Sequence, residues 1–421
     1  MGSAWLSLNM LLRPSYAAGV QLVPAYEQAF SRTILGTGAP ALAFGRGRVA
    51  LWAILRALAV GETSEVIVPA YTCETVPMAV KFAGARCVYT DVGPGGYNSS
   101  AGSVGEALTN NSAAVICQHT YGIRQPIRQW IASLAPKGVP VIEDRCHVIG
   151  NGSCEDRGSV AGQAVYFSTH FSKPFSTGQG GLAVFTDERL CAEVERIRDR
   201  FSRRHDRKRA RTLALQTLLY SMIVRPATRA VVGGMFRWAQ RCGLIRGTVS
   251  ADEYGRTMPA DYLSRATNVH AVLGMRQLLR WPRDCEHRRR LTQFYLEHLA
   301  VLGVDTRPLI EGDRAGALLM VPVLVEDKQD VLRRAAGRSL PIGTWFDRPP
   351  AHLRTQSAGV YDYVEGQCPR AEYLVSREVH LLTSPWVDLD QAKRAMDFLD
   401  RHAVLASPFE SAVRTAPIEG S

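Results

Sequence analysis

Within the segment VIEDRCHVIG a carboxylate, Asp144, ends an apolar run, and His147 stands three positions further on. The next apolar run, QAVYFS, ends in Ser168, and Lys173 follows five residues later within FSTHFSKPFSTGQGG. Of the 50 Lys and Arg residues only six are lysine, so a lysine between a serine and a proline, ahead of a glycine cluster, is conspicuous. Upstream, FGRGRVAL sets Gly45, Gly47 and Arg48 at the start of a helical pattern. These residues offer an amine, an acid, a hydroxyl and a glycine-opened helix N-terminus. An amine can form a Schiff base with an aldehyde. A carboxylate can keep a ring nitrogen protonated. A helix N-terminus attracts phosphate through its unpaired N–H groups, and hydroxyls or arginine add donors.

Pyridoxal 5'-phosphate needs all four. Each feature alone also has a plainer reading. An aspartate at a strand end can be a cap or turn residue, and a lone lysine can be a solvated surface charge.

The elements that must position these groups read as alternating strands and helices. Apolar runs at 65–69, 87–92, 113–118, 139–144, 163–168 and 181–186 are strand candidates, with helical patterns at 47–58 and 73–84. This alternation predicts an α/β fold with a mostly parallel central sheet and helices on both faces. The last two runs are too close together for a helical crossover between them. Ligands in such sheets bind beyond the carboxyl ends of the strands, where Asp144 and Ser168 fall. His119 and Tyr121, in QHTYG after another strand candidate, are further crevice candidates, although His119 also suits a structural role. Trp52 has core spacing.

From about residue 250 the pattern changes to longer helices at 265–280 and 283–302, then mixed segments and a helix near 389–403. This places a large cofactor-binding domain at 1–250 and a smaller C-terminal α+β domain at 251–421. The last dozen residues read as a loose tail. Such a length suits two domains, and a hydrophobic fraction of 46% with 21% charged residues suits a sizeable core. Nine cysteines show no CxxC pair or zinc-type spacing, which argues for a reducing cytoplasm and against a metal site. AWLSLNMLLRPSY lacks the basic start of a secretion signal.

Much of the net charge of +11 is local. Residues 196–211 carry nine basic residues against two aspartates, and an uncharged run of twelve follows at 213–224. That run is short of the roughly 20 residues a spanning helix needs. The stretch 196–236 suits either peripheral contact with an anionic membrane face or a solvated basic helix leading into one packed on the domain. No nucleic-acid module or stacking motif is evident.

The order and wording of VIEDRCHVIG and VYFSTHFSKPFSTGQGGLAVFT resemble the DegT-type (StrS-like) sugar aminotransferases, which are fold-type-I pyridoxal phosphate enzymes. The likeness extends through VPAYTCETVPMAVKFAGARCVYTDV and HTYG, and more loosely through RATNVHAVLGMRQL and GQCPRAEYLVSREVHLLTSPW. It implies Asp144 as the partner of the pyridine nitrogen, His147 against the cofactor, Ser168 on the phosphate and Lys173 as the Schiff-base lysine. The chain departs from the family at three places. Arg46-Gly47-Arg48 stands where the family has Ser-Gly-Thr, so Gly47 and Arg48 become the phosphate candidates. Cys73 falls where the family has an aromatic stacked on the ring, leaving Tyr71 as the nearby aromatic. Leu263 replaces an asparagine that the second subunit contributes. The insertion at about 196–250 has no clear family counterpart.

The resemblance further implies transamination, with glutamate or glutamine as donor and a nucleotide- or lipid-linked keto-sugar as acceptor, in a homodimer. A lysine at 173 favours that reaction over the family's dehydratase branch, where a histidine takes the position. The alternatives are another pyridoxal phosphate reaction, by a lyase or dehydratase, and a non-catalytic relative that binds a membrane or partner.

Overall fold

The computed structural model describes residues 2–148, 161–201, 206–223, 257–259, 261–310, 316–345, 361–407 and 409. The expected domain boundary near 250, the insertion beyond residue 223 and the C-terminal tail lie outside them.

The central sheet has seven strands: β1 (Ala41–Phe44), β2 (Glu65–Pro69), β3 (Arg86–Thr90), β4 (Ser112–Gln118), β5 (Val141–Asp144), β6 (Ala164–Ser168) and β7 (Gly181–Phe185). Their order is β1-β7-β6-β5-β4-β2-β3. The pairs from β3 to β6 are parallel, while β7 runs antiparallel to both β6 and β1. Six of these strands coincide with the sequence-predicted runs to within two residues at each end, and the close β6–β7 spacing is an antiparallel hairpin. Strand β2 is buried along its whole length, as expected of a parallel strand covered on both faces. Helices Gly47–Ala57 and Thr75–Ala83 pack with Phe44, Val66, Ile116 and Tyr166 on one face. Trp130 and Leu134 pack with Ile67 and Val115 on the other.

A second sheet of three strands has the order β8 (Met320–Leu324), β10 (Glu378–Leu382), β9 (Ile342–Gly343), all antiparallel. Helix Leu389–His402 packs on it through Ala392, Ala395, Met396 and Leu399. The helices expected at 265–280 and 283–302 are instead one, Asn268–Val301, continuous through Pro282. An interior proline costs about 3 kcal/mol. Here the residues around it offset that cost, because Leu278, Trp281 and Cys285 are buried against Phe30 and Phe175. The helix then adds Leu291, Tyr295 and Leu299 to the core beneath the second sheet. One rod therefore ties both cores together.

The apolar run after the basic stretch belongs to helix Asp206–Ile223. Its Ala210, Leu213 and Ala214 are buried in a cluster with Met10, Ala17, Val269 and Leu273. The packed alternative thus holds for this face of the helix. Leu215, Leu219 and Tyr220 remain exposed, as do Trp5, Leu8 and Leu12 of helix Gly2–Leu12. Among the described residues no helix is long and apolar enough to cross a membrane.

Candidate active site

The carboxyl edge of the central sheet supplies the floor of a cavity. Asp144 pairs in register with Gln118 of β4 and Tyr166 of β6, so three polar side chains stand abreast on one face. All three line the cavity. Asp144 is 4% exposed and is held at both oxygens. Its Oδ1 accepts the Cys146 backbone N–H at 2.8 Å, and its Oδ2 accepts the Tyr166 hydroxyl. Residue alternation sends Glu143 to the opposite face, where its carboxylate meets His119 at 2.8 Å and Arg145 at 2.6 Å. Burial alone would raise the Glu143 carboxyl, but Arg145 and His119 outweigh it and hold it at about 2. His119 therefore serves a buried ion pair behind the strand and is not in the Asp144 cavity.

Lys173 sits on the β6–β7 hairpin loop. That loop is knitted by Thr169 N–H to Gly180 O at 2.9 Å, Phe171 N–H to Gly178 O at 3.0 Å and Lys173 N–H to His170 O at 2.9 Å. The Thr169 and Thr177 hydroxyls lie 2.6 Å apart across it. Gly180 has φ +137°, and a Cβ there would fall 2.5 Å from the Thr169 hydroxyl oxygen. The glycines after the lysine are thus a requirement of the turn that presents it. Lys173 is half-buried and faces the same cavity as Asp144.

Behind the loop, helix Gly47–Ala57 begins with its first turn against Ser168. Its N-cap residue, Arg46, is extended at φ −155° and makes no side-chain capping hydrogen bond. A Cβ on Gly47 would lie 2.9 Å from Ser168 Cβ and 3.1 Å from Phe167 O, so only glycine allows this approach. The result is a cradle of first-turn N–H groups beside a strand-end hydroxyl, with the buried guanidinium of Arg48 on the same wall. The predicted Gly47, Arg48, Asp144, His147, Ser168 and Lys173 thus line one cavity.

His147 is aligned by a strained neighbour. Tyr121 adopts φ +58°, rare for a bulky residue, and aims its backbone N–H at His147 Nδ1 at 3.0 Å. An accepting Nδ1 carries no proton. Burial, and then the nearby charge of Lys173, push the imidazole well below its ordinary value, so the ring is neutral. Tyr71 lies outside the cavity lining. Its hydroxyl meets that of Tyr121 at 2.6 Å inside an aromatic cluster under the second sheet.

Cavity residues that sequence reasoning did not single out include Gln118, Tyr166, Gln179 and Trp345. Register makes the first two neighbours of Asp144, and sequence spacing alone does not reveal register. Trp345 comes from just beyond β9, and its ring is parallel to that of His147 at 4.6 Å between centroids with an 18° interplanar angle. Lys173 Nζ stands over the indole, 4.2 Å from its centroid.

Taken together, the cavity holds an amine, a fixed carboxylate, a flat neutral ring and an anion cradle. That donor set fits pyridoxal 5'-phosphate. Asp144 suits the pyridine nitrogen, Ser168 with the Gly47 helix start suits the phosphate, and Lys173 suits the aldehyde. Among the described residues no cluster of His, Cys, Asp and Glu could hold a metal ion.

GDP-perosamine synthase of Escherichia coli O157:H7 is 31% identical over 144 residues, which is 34% of this chain and 40% of that protein. An Acidithiobacillus ferrooxidans UDP-N-acetyl-3-dehydro-alpha-D-glucosamine 3-aminotransferase is 34% identical over 157 residues, or 36% and 42% of the two chains. The matches thus span about two fifths of the length of these two curated relatives. Over nearly the whole length the fold follows that of an aminotransferase from Psychrobacter cryohalolentis, with a TM-score of 0.71, 21% identity and coverage of 95% and 96%. The family profile matches residues 15–223 and 234–400, and the chain belongs to the DegT/DnrJ/EryC1/StrS aminotransferase family.

Proposed function

We propose that this chain is a pyridoxal phosphate-dependent aminotransferase that moves an amino group from glutamate or glutamine to a keto-sugar carried on a nucleotide or lipid. The observation that carries this reading is the convergence of Lys173, Asp144 and His147 on one cavity, beside a helix start that only glycine permits. Pyridoxal phosphate supplies an aldehyde that amines can bond and a ring that takes up the electron pair left when a proton leaves the donor carbon.

The chain's own residues have separate tasks. Asp144, fixed by Tyr166 and the Cys146 N–H, sets a negative charge where a protonated ring nitrogen has to be held. His147, neutral and held at Nδ1, offers a flat surface that does not compete for that charge. Lys173 Nζ would be the base that takes the proton from the donor's α-carbon and delivers it to the carbon on the other side of the nitrogen, so that the donor leaves as a keto acid. An amine at this position, in place of the dehydratase histidine, supports transamination. The two curated relatives are named for GDP- and UDP-linked sugars, which supports a nucleotide-linked acceptor.

The decisive test loads the purified protein with pyridoxal phosphate and adds glutamate, and separately glutamine, without acceptor. Release of close to one equivalent of keto acid per site, with conversion of the coenzyme to its amine form, is expected. Coenzyme binding without keto-acid release from either donor would remove this donor reading and leave the lyase or dehydratase alternative.

The same proposal places the enzyme in the cytoplasm as a homodimer. Exposed Trp5, Leu8 and Leu12 on one helix, and Leu215 and Leu219 on the helix packed against it, support cover by a second chain. The arginine-rich stretch before Leu215 supports loose contact with an anionic membrane, which would suit a lipid-linked acceptor. Light scattering tests the dimer. Flotation with anionic against neutral liposomes tests the membrane contact.

A further inference from the structure

Two aromatic rings run nearly parallel to His147. Tyr121 is 6.3 Å away between centroids at 25°. Trp345 is stacked on His147 at 4.6 Å and 18°, and the indole also carries Lys173 Nζ over its face at 4.2 Å. The indole thus lies between the ring expected to stack on the coenzyme and the amine expected to bond it. Cys73, a small thiol where the family's pattern has an aromatic, also lines this cavity. The second sheet delivers the indole: β9 pairs Gly343 with His380 of β10, and Trp345 follows two residues later.

We propose that the indole of Trp345 and the ring of the coenzyme compete for one place against His147, so that coenzyme loading displaces Trp345 and uncovers Lys173. This rests on the reading of the cavity as a pyridoxal phosphate site. The competition is non-covalent on both sides. What Trp345 gives up includes its parallel ring contact and its cation–π contact, and His147 gains the incoming ring in exchange. Binding therefore bears the cost of a competing internal conformation, which lowers the apparent affinity by the fraction of chains whose slot is open.

The experiment uses the full chain stripped of coenzyme, and two probes: pyridoxal 5'-phosphate and pyridoxine 5'-phosphate, which has the ring and phosphate without the aldehyde. Trp345→Ala is expected to bind both probes about tenfold more tightly than the unsubstituted protein, because the competitor is gone. Trp345→Phe keeps a competing ring, so its affinity should stay close to that of the unsubstituted protein. It also isolates the indole signal. The emission difference between the unsubstituted protein and Trp345→Phe should move to longer wavelength as either probe binds. Equal or weaker binding by Trp345→Ala, with its fold intact by circular dichroism, overturns the proposal and makes Trp345 a wall of the bound pocket. If Trp345→Ala does not fold, the emission difference decides: no shift with pyridoxine phosphate overturns the proposal. Failure of every form to bind pyridoxal phosphate is a different result, since it removes the cofactor reading itself and the competition with it.

Discussion

Lys173 and Trp345 meet over one cavity but arrive there by different means. Lys173 stands on a hairpin loop crossed by backbone hydrogen bonds and paired threonine hydroxyls, between two strands of the seven-stranded sheet. Trp345 follows a strand of two residues at the edge of the three-stranded sheet. The first flank is over-determined by local structure, so the backbone that carries the amine is fixed. The second makes side-chain contacts with His147 and Lys173, which are contacts that can be exchanged. A rigid flank suits the groups that must act on a bound atom, and an exchangeable one suits a group that admits or excludes a ligand.

The largest effect should come from the rigid flank. Lys173→Ala removes the amine proposed both to bond an aldehyde and to act as the base, and turnover should fall by roughly 10³-fold or more. The loop's backbone hydrogen bonds do not use the side chain, so the melting temperature should stay within a few degrees. Steady-state turnover with melting curves checks this, and full turnover in the variant would move the chemistry to another residue. Next in size is Asp144→Asn. Asparagine keeps the shape and can still accept from Cys146 N–H, but it has no charge to hold a protonated ring nitrogen. A loss of roughly 10²-fold in turnover is expected, with coenzyme still bound. Turnover within a fewfold of normal would sink the role assigned to Asp144.

What could be read beforehand follows the same division. Buried strands such as Val141–Asp144 and Ala164–Ser168 are apolar runs bounded by turn signals, and their ends marked Asp144 and Ser168 without any tertiary information. Strand Ala41–Phe44 escaped because four apolar residues before a glycine fit many structures. The strands of the second sheet escaped because Ile342–Gly343 has no period to detect, and Met320–Leu324 contains a proline, Pro322. Pro282 signalled a break that burial of Trp281 and Cys285 overrode. Trp345 had no signal of its own, since its position depends on β9 pairing with β10 across 37 residues of chain.

The anchoring of the rigid flank also has a pH signature. His270 packs behind the loop, where a Cβ on Gly180 would come 3.1 Å from its Cδ2, and its Nδ1 accepts the Thr267 N–H at 3.1 Å. Burial pushes it down to about 4 despite that bond. The folded state therefore holds it neutral while the unfolded state titrates near its ordinary value of 6.5. Between those values the unfolded chain binds more protons, so stability is complete above pH 6.5 and falls as pH drops toward 4. The slope is about 1.4 kcal/mol per pH unit for each such histidine, or about 3 kcal/mol in all for His270. His147 adds in the same direction. Urea midpoints across this range should decline, and His270→Gln should flatten the decline because glutamine does not titrate there. An unchanged slope would show that His270 is not held neutral in the fold.

The smallest effect separates the aromatic cluster from the cavity it supports. Tyr71 is the aromatic nearest to the position where the family's pattern has its ring-stacking residue, yet its hydroxyl meets Tyr121 at 2.6 Å and its ring is edge-on to Tyr121 at 6.1 Å. Burial, and then the charge of the fully buried Glu378, raise the phenol well above its ordinary value, so it keeps its proton. Tyr71→Phe removes one buried hydrogen bond and leaves the packing intact, which should cost about 1 kcal/mol. The Tyr121 group that holds His147 is its backbone N–H, which does not use the Tyr71 hydroxyl. Pyridoxal phosphate affinity and turnover should therefore stay within about threefold of normal, since each tenfold needs about 1.4 kcal/mol acting on the bound state itself. Denaturant midpoints and a coenzyme titration measure the two quantities side by side. A tenfold loss of coenzyme affinity with unchanged stability would reverse this assignment and put Tyr71 against the coenzyme, with Trp345 no longer the nearest aromatic to account for.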